Sequence, residues 1–132
     1  MTITALRKVF ALDALSCIAF FAACVPLAGF VSGIVGLPRG AVAAGGWICL
    51  AAGLLFAALA LTQPPSHRLV ALGILGNALW VAASLAIVAG FAQQMSVAGI
   101  GLVLAQAFAV GVLTWLEAKG LRALRETSTV AA

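Results

Sequence analysis

Charge is what this chain has least of. Of 132 residues, seven are Lys or Arg and three are Asp or Glu, while 65% are hydrophobic. Mean hydropathy is +1.25. A soluble domain carries about 25% charged residues. So few charges cannot solvate a water-facing surface, so the apolar surface must face lipid. The net charge of +4 is no sign of nucleic-acid binding. The charges sit between apolar segments and at the ends, where they meet headgroups and water.

Histidine occurs once, as His67 in a Pro-Pro-Ser-His-Arg loop, and this argues against a metal centre or a haem bundle. The cysteines number three, Cys17, Cys24 and Cys49, with no C-x-x-C among them. An odd set inside apolar segments reads as small buried side chains, not as a disulfide framework. Paired acids, a Ser/His/Asp set and a phosphate loop are also missing, and an enzyme ranks last among the function classes. No cofactor is expected.

What is present is four apolar segments separated by Gly, Pro and polar breaks. The breaks are Gly36-Leu37-Pro38-Arg39-Gly40, Gln63 to Arg68, and Phe91 to Ser96. The segments cover roughly 10–36, 42–62, 69–90 and 97–116. Each supplies the ~20 residues that cross ~30 Å of hydrocarbon. With no water to satisfy the backbone, each must be helical. Short loops make successive helices antiparallel. The expected fold is therefore all-α, a single domain over 1–132, with four transmembrane helices running up and down. The early Arg7-Lys8 followed by an apolar run also resembles a signal peptide, but the run stays apolar past Cys24, and an uncleaved segment is expected.

If the N-terminus is cytoplasmic, Arg7, Lys8, Arg68, Lys119, Arg122 and Arg125 lie inside and Arg39 alone lies outside. This bias predicts one orientation, with both termini cytoplasmic. Residues 117–132 form a cytoplasmic tail. Its first part extends the last helix, with Leu121 and Leu124 spaced for one face, and Thr127 onward is expected to be disordered. Pro26 should kink the first helix near Ala22. Small residues recur at four-residue spacing as Gly29/Gly33, Gly45/Cys49/Gly53/Ala57, Ala78/Ala82/Ala86/Gly90 and Gly101/Ala105/Ala109. In lipid such lines favour close helix packing, within the bundle or against a second copy. Trp47 and Trp115 suit the membrane interface.

Few polar groups lie inside the spans. Asn77 falls ~12 Å and Gln106 ~15 Å from the cytoplasmic side at 1.5 Å per residue, so an Asn77–Gln106 hydrogen bond between helices is expected. Gly73, Asn77, Trp80 and Ser84 form a stripe on one helix face. It reads either as a packing seam or, with Gln106, as a small-ligand or lipid pocket. Asp13 also has two readings. At the headgroup boundary it would pair with Arg68. About a turn deeper it would be costly when ionised, and with Cys17, Phe20 and Cys24 on its face it could carry a proton or bind a cation.

The stretches Leu12 to Leu15, Pro26-Leu27-Ala28, Gly36-Leu37-Pro38, Asn77 to Ser84 and Ala105-Gln106-Ala107 resemble those of a group of small bacterial four-helix integral membrane proteins without an assigned activity. The resemblance implies the architecture and supplies no chemistry. Together with the Ala-rich, short-loop composition it implies a multi-pass protein of the bacterial inner membrane. Small multidrug transporters match poorly, since they carry a membrane-embedded Glu and lack this charge bias. Two main function classes follow. One is a non-enzymatic accessory protein that packs with itself or within a larger membrane complex. The other is a small-molecule or proton-coupled transporter, or lipid-ligand-binding protein, acting as a homodimer. A water-lined cavity between Asp13 and Asn77 favours the second, and a dry, filled bundle the first.

Overall fold

The computed structural model describes residues 2–130, with side chains described as far as Glu126. All regular structure among them is helical: α1 (Ile3–Cys24), α2 (Ala28–Val35), α3 (Arg39–Leu61), α4 (His67–Phe91) and α5 (Val97–Val130). α3, α4 and α5 are each long and apolar enough to cross a membrane, as expected for a multi-pass membrane protein. α1 and α2 meet that test only when taken together, and they diverge by 93°. The expected single kinked span from 10 to 36 is thus two helices. Pro26 cannot donate to the ladder, and its ring crowds the carbonyl one turn back, so α1 stops at Cys24. The chain turns through Val25 to Leu27 before α2 begins.

Capping follows the sequence. The Thr2 hydroxyl accepts the Ala5 N–H at 3.1 Å and starts α1. α2 ends on Gly36 at φ 81°, a left-handed cap that glycine adopts without strain. Ser96 starts α5: its hydroxyl accepts the Gly99 N–H at 2.8 Å and donates to the Ile34 carbonyl at 2.5 Å. The short α2 is thereby pinned to the start of α5. α5 continues helically through the stretch expected to be disordered, as far as Val130, and residues 131 and 132 lie outside the described residues.

α1 packs chiefly on α3 and α4 chiefly on α5, with α1 also against α5 and a sparse seam between α3 and α4. The α1–α3 contact uses the expected small-residue line at Gly53, joined by Gly46, which lies off that line. Cβ atoms built on Gly46 and Gly53 would meet Val25 and Cys17 at 2.7 and 3.2 Å, so the backbones approach as only glycine allows. The other three lines do not form seams inside the bundle. Gly29, Gly33, Gly90 and Gly101 have nothing near a built Cβ, and Ala78, Ala82, Ala86, Ala105 and Ala109 are exposed. Periodicity alone cannot distinguish a packed face from an outward one, and here the inward faces carry larger or polar residues. The apolar core lies toward the two chain ends, where Leu6 and Phe10 meet Phe56, Leu59 and Val70. Leu121 and Leu124 of α5 complete it, so the predicted tail leucines are structural. Phe10 and Phe56 stack at 6.3 Å between centroids.

Gly99 sits so close to the end of α2 that a Cβ there would run into the Val35 carbonyl. Gly99→Ala should therefore cost about 1–3 kcal/mol of stability, whereas Gly101→Ala, with open space around it, should not destabilise. Thermal unfolding of the detergent-solubilised variants, followed by helical circular dichroism, checks this contrast. Equal midpoints would contradict the close α2–α5 approach.

Candidate functional site

Two polar clusters sit among the helices. The first ties three helices together. Asp13, at the middle of α1, and Glu117, on α5, are both fully buried. Asn77 of α4 lies between them: its Nδ2 donates to Asp13 Oδ2 at 2.6 Å and to Glu117 Oε2 at 3.3 Å. One amide nitrogen has two hydrogens, so this arrangement uses both. The Asp13 contact has the short length of a charge-assisted bond. Asp13 Oδ1 receives only longer approaches, from the Ser16 hydroxyl at 3.4 Å and the Cys17 thiol at 3.7 Å. Glu117 Oε1 is buried with no hydrogen-bond partner at all. Two negative charges held together out of water repel each other and lose hydration. A positive charge beside the pair would reduce that repulsion.

The second cluster is a closed triangle. The Trp80 indole donates to Gln106 Oε1 at 2.7 Å, Gln106 Nε2 donates to the Ser84 hydroxyl at 2.8 Å, and that hydroxyl donates to the Trp80 carbonyl at 2.8 Å. Trp80 is also held edge-on by Phe20, with ring centroids 5.6 Å apart.

These positions revise two expectations. The Asn77–Gln106 bond does not form, because the carboxyls take the Asn77 donor and Gln106 is engaged by Trp80 and Ser84. The Asp13–Arg68 pair does not form either: Arg68 is exposed at the start of α4, whereas Asp13 is buried against Asn77, Ser16 and Cys17. Gly73, Asn77, Trp80 and Ser84 do share the inward face of α4. Glu117 is the residue that sequence reasoning missed, since it was assigned to the tail. Its spacing held the signal: Leu113, Glu117, Leu121 and Leu124 repeat at four, four and three residues, and all four are buried.

Beside both clusters lies a cleft of about 490 Å³ lined by all four long helices. Its polar lining includes Asn77 and Gln106, and its apolar lining includes Ile48, Leu55, Leu72 and Val110. The sparse α3–α4 seam is closed at two points. At one, a Cβ on Gly73 would lie 2.7 Å from the Phe56 ring, and at the other, a Cβ on Gly45 would lie 3.5 Å from the Trp80 indole. Between them Ile48 and Ala51 of α3 and Leu72 and Gly76 of α4 line the cleft and remain exposed. They frame a side window in the bundle.

Asn77→Leu leaves buried carboxyl oxygens without their donor and should lower stability by about 1–3 kcal/mol. Trp80→Phe removes one neutral hydrogen bond and keeps the ring, so about 1 kcal/mol is expected. Denaturation midpoints that rank the two in the opposite order would show that Asn77 does not carry the three-helix junction. No protein-family model matches this chain, and no curated protein or solved structure shows significant similarity to it.

Proposed function

We propose that this chain is a four-span, up-and-down membrane protein with both termini cytoplasmic, and that it binds a small, largely apolar molecule in the cleft between its helices. The binding role is non-enzymatic, a carrier or receptor function. The side window is the observation that carries the reading. A pocket with apolar walls and a few convergent polar groups is the usual form of a small-molecule site. Here the window faces sideways through the α3–α4 seam, and Leu72, Ile48 and other large apolar residues around it are exposed, as lipid-facing residues are. A ligand would enter from the bilayer, lay its apolar body against α3 and α4, and turn its polar end toward Asn77 or Gln106. Asn77 bonds Asp13 directly, so a water-lined cavity between them is not there; an apolar cleft beside Asn77 supports the role instead.

The four-span topology rests on α1 and α2 together forming the first span and on the charge bias of the loops. A bacterial inner membrane suits the same bias. Cysteine labelling tests the topology. In intact cells, Gly40→Cys should react with a membrane-impermeant maleimide above the wild-type background, and Ser66→Cys should react only after the cells are opened. The reverse pattern would invert the topology, and labelling of both in intact cells would refute a fixed one.

Native mass spectrometry of protein released gently from its own membrane tests the binding role. The wild type should carry one small molecule per chain. Gly76 has open space around a built Cβ and lines the window, so Gly76→Phe should fill the cleft, raise the unfolding midpoint or leave it in place, and lose the adduct. A stoichiometric foreign subunit in place of the small molecule would overturn the reading in favour of an accessory protein.

A further inference from the structure

The acidic cluster and the cleft are not separate features. Three side chains approach the Asp13 carboxyl through hydrogen bonds: Ser16, Cys17 and Asn77. All three also line the cleft. The carboxyls therefore lie one side chain behind the ligand space. On the far side, Leu6, Phe10, Leu121 and Leu124 close the bundle.

Among the described residues, the groups seen against this cluster carry no positive charge. The groups that act on Glu117 are its own burial, the Asp13 carboxyl and the Asn77 amide. The other titratable groups facing Asp13 are Cys17 on its own helix and Cys49 on α3, which interact with each other. α4 contributes the uncharged Asn77, and α2 has no ionisable residue. The nearby basic residues are occupied or outward. Arg7 donates to the Ala60 carbonyl at 2.6 Å, the Lys119 ammonium lies 3.7 Å from the Trp115 ring centroid, and Arg68 and Arg122 are exposed.

We propose that Asp13, Asn77 and Glu117 form a cation-exchange site, which keeps one proton while the cleft is empty and releases it when the ammonium group of an apolar amine takes its place. The inference rests on the reading of the cleft as a ligand site and names the class of ligand. An ammonium has three donors and no acceptor. Neither carboxyl lines the cleft, so the ammonium would pass between Ser16, Cys17 and Asn77 to meet Glu117 Oε1, which has no donor, and Asp13 Oδ1, whose closest remaining donor is the Cys17 thiol at 3.7 Å. Ser16 Oγ, whose hydrogen goes to the Asp13 carbonyl at 2.9 Å, keeps lone pairs for the third contact. The apolar walls take the body of the amine, and Phe20 and Trp80 supply ring surface beside it. One positive charge enters and one proton leaves to the solvent, so the net charge of the cluster is unchanged.

The experiment is calorimetric titration of the full-length protein in detergent, with empty micelles as the blank. The probes are naphthylmethylamine and its neutral isostere naphthylmethanol. Repeating the titration in two buffers of different ionisation enthalpy counts the protons exchanged. The amine should bind with release of about one proton, and its affinity should rise about tenfold per pH unit while the cluster still holds its proton. The alcohol should bind more weakly, with no proton release and no pH dependence. Glu117→Gln should abolish the proton release and weaken the amine at least about tenfold, while the alcohol is unaffected. If that variant does not fold, the proton count on the wild type decides alone. Equal binding of both probes without proton release would overturn the exchange site and leave the cleft as a ligand site. Binding of neither probe to the folded wild type would overturn both.

Discussion

One amide ties three of the helices together in the middle of the bundle. Asn77 uses both hydrogens of a single nitrogen to join α1 through Asp13 and α5 through Glu117, while its own helix, α4, touches α3 only sparsely. In an apolar surrounding, polar groups cannot exchange their partners for water, so these contacts fix the rotation of three helices at once. The inward face of α4 follows from this. With Asn77 aimed at the carboxyls, Gly73 lands one turn away against Phe56, and Trp80 lands on the other side against Gly45. Those two contacts bound the side window. The window is thus a consequence of the same rotation that buries the acids.

The bend at Pro26 has a related effect. Had α1 run straight on through residue 36, its later turns would have continued beside α3. Instead α2 leaves at 93° and is fastened to the start of α5 by Ser96 and the close approach at Gly99. α1 therefore supplies its central turns, with Asp13, Ser16, Cys17 and Phe20, to the middle of the bundle. α2 is only eight residues long, and its outward glycines, Gly29 and Gly33, have no close neighbour.

The helices and their breaks were legible in the sequence because lipid leaves the backbone no alternative to helix. Gly, Pro and polar runs mark both ends of α3 and α4 and the start of α5 within a few residues. The inward face of α4 was legible too, since Asn77 and Ser84 are polar groups that need partners. Their partners were not. Asn77 and Gln106 lie at similar depth, but depth does not give rotation, and the carboxylates are stronger acceptors than an amide oxygen. Glu117 was hidden by its surroundings in sequence: it heads a run with Lys119, Arg122 and Arg125, which reads as a solvated tail. Only the leucines at 113, 121 and 124 reveal that this charge faces inward. The small-residue lines misled for the opposite reason. Ala and Gly are so common here that four-residue spacing arises on outward faces as readily as on packed ones.

A chain with three acids in 132 residues places two of them in full burial, with one oxygen unmatched. The packing needs acceptors for Asn77 but not two carboxyls, since neutral amide oxygens would accept the same hydrogen bonds without the cost of burying charge. Gly76 is a similar case: a larger residue would fill the window, add contact and remove a glycine from a helix interior, where it costs about 0.5–1 kcal/mol relative to alanine. Both features lower stability; the glycine lines the cleft and the acids lie one side chain behind it. Departures from the most stable solution that converge on one place are the expected mark of a site kept for use. The outward small-residue lines converge on nothing comparable. This coincidence of the two costs around one cleft is the argument for the proposed binding role over mere packing.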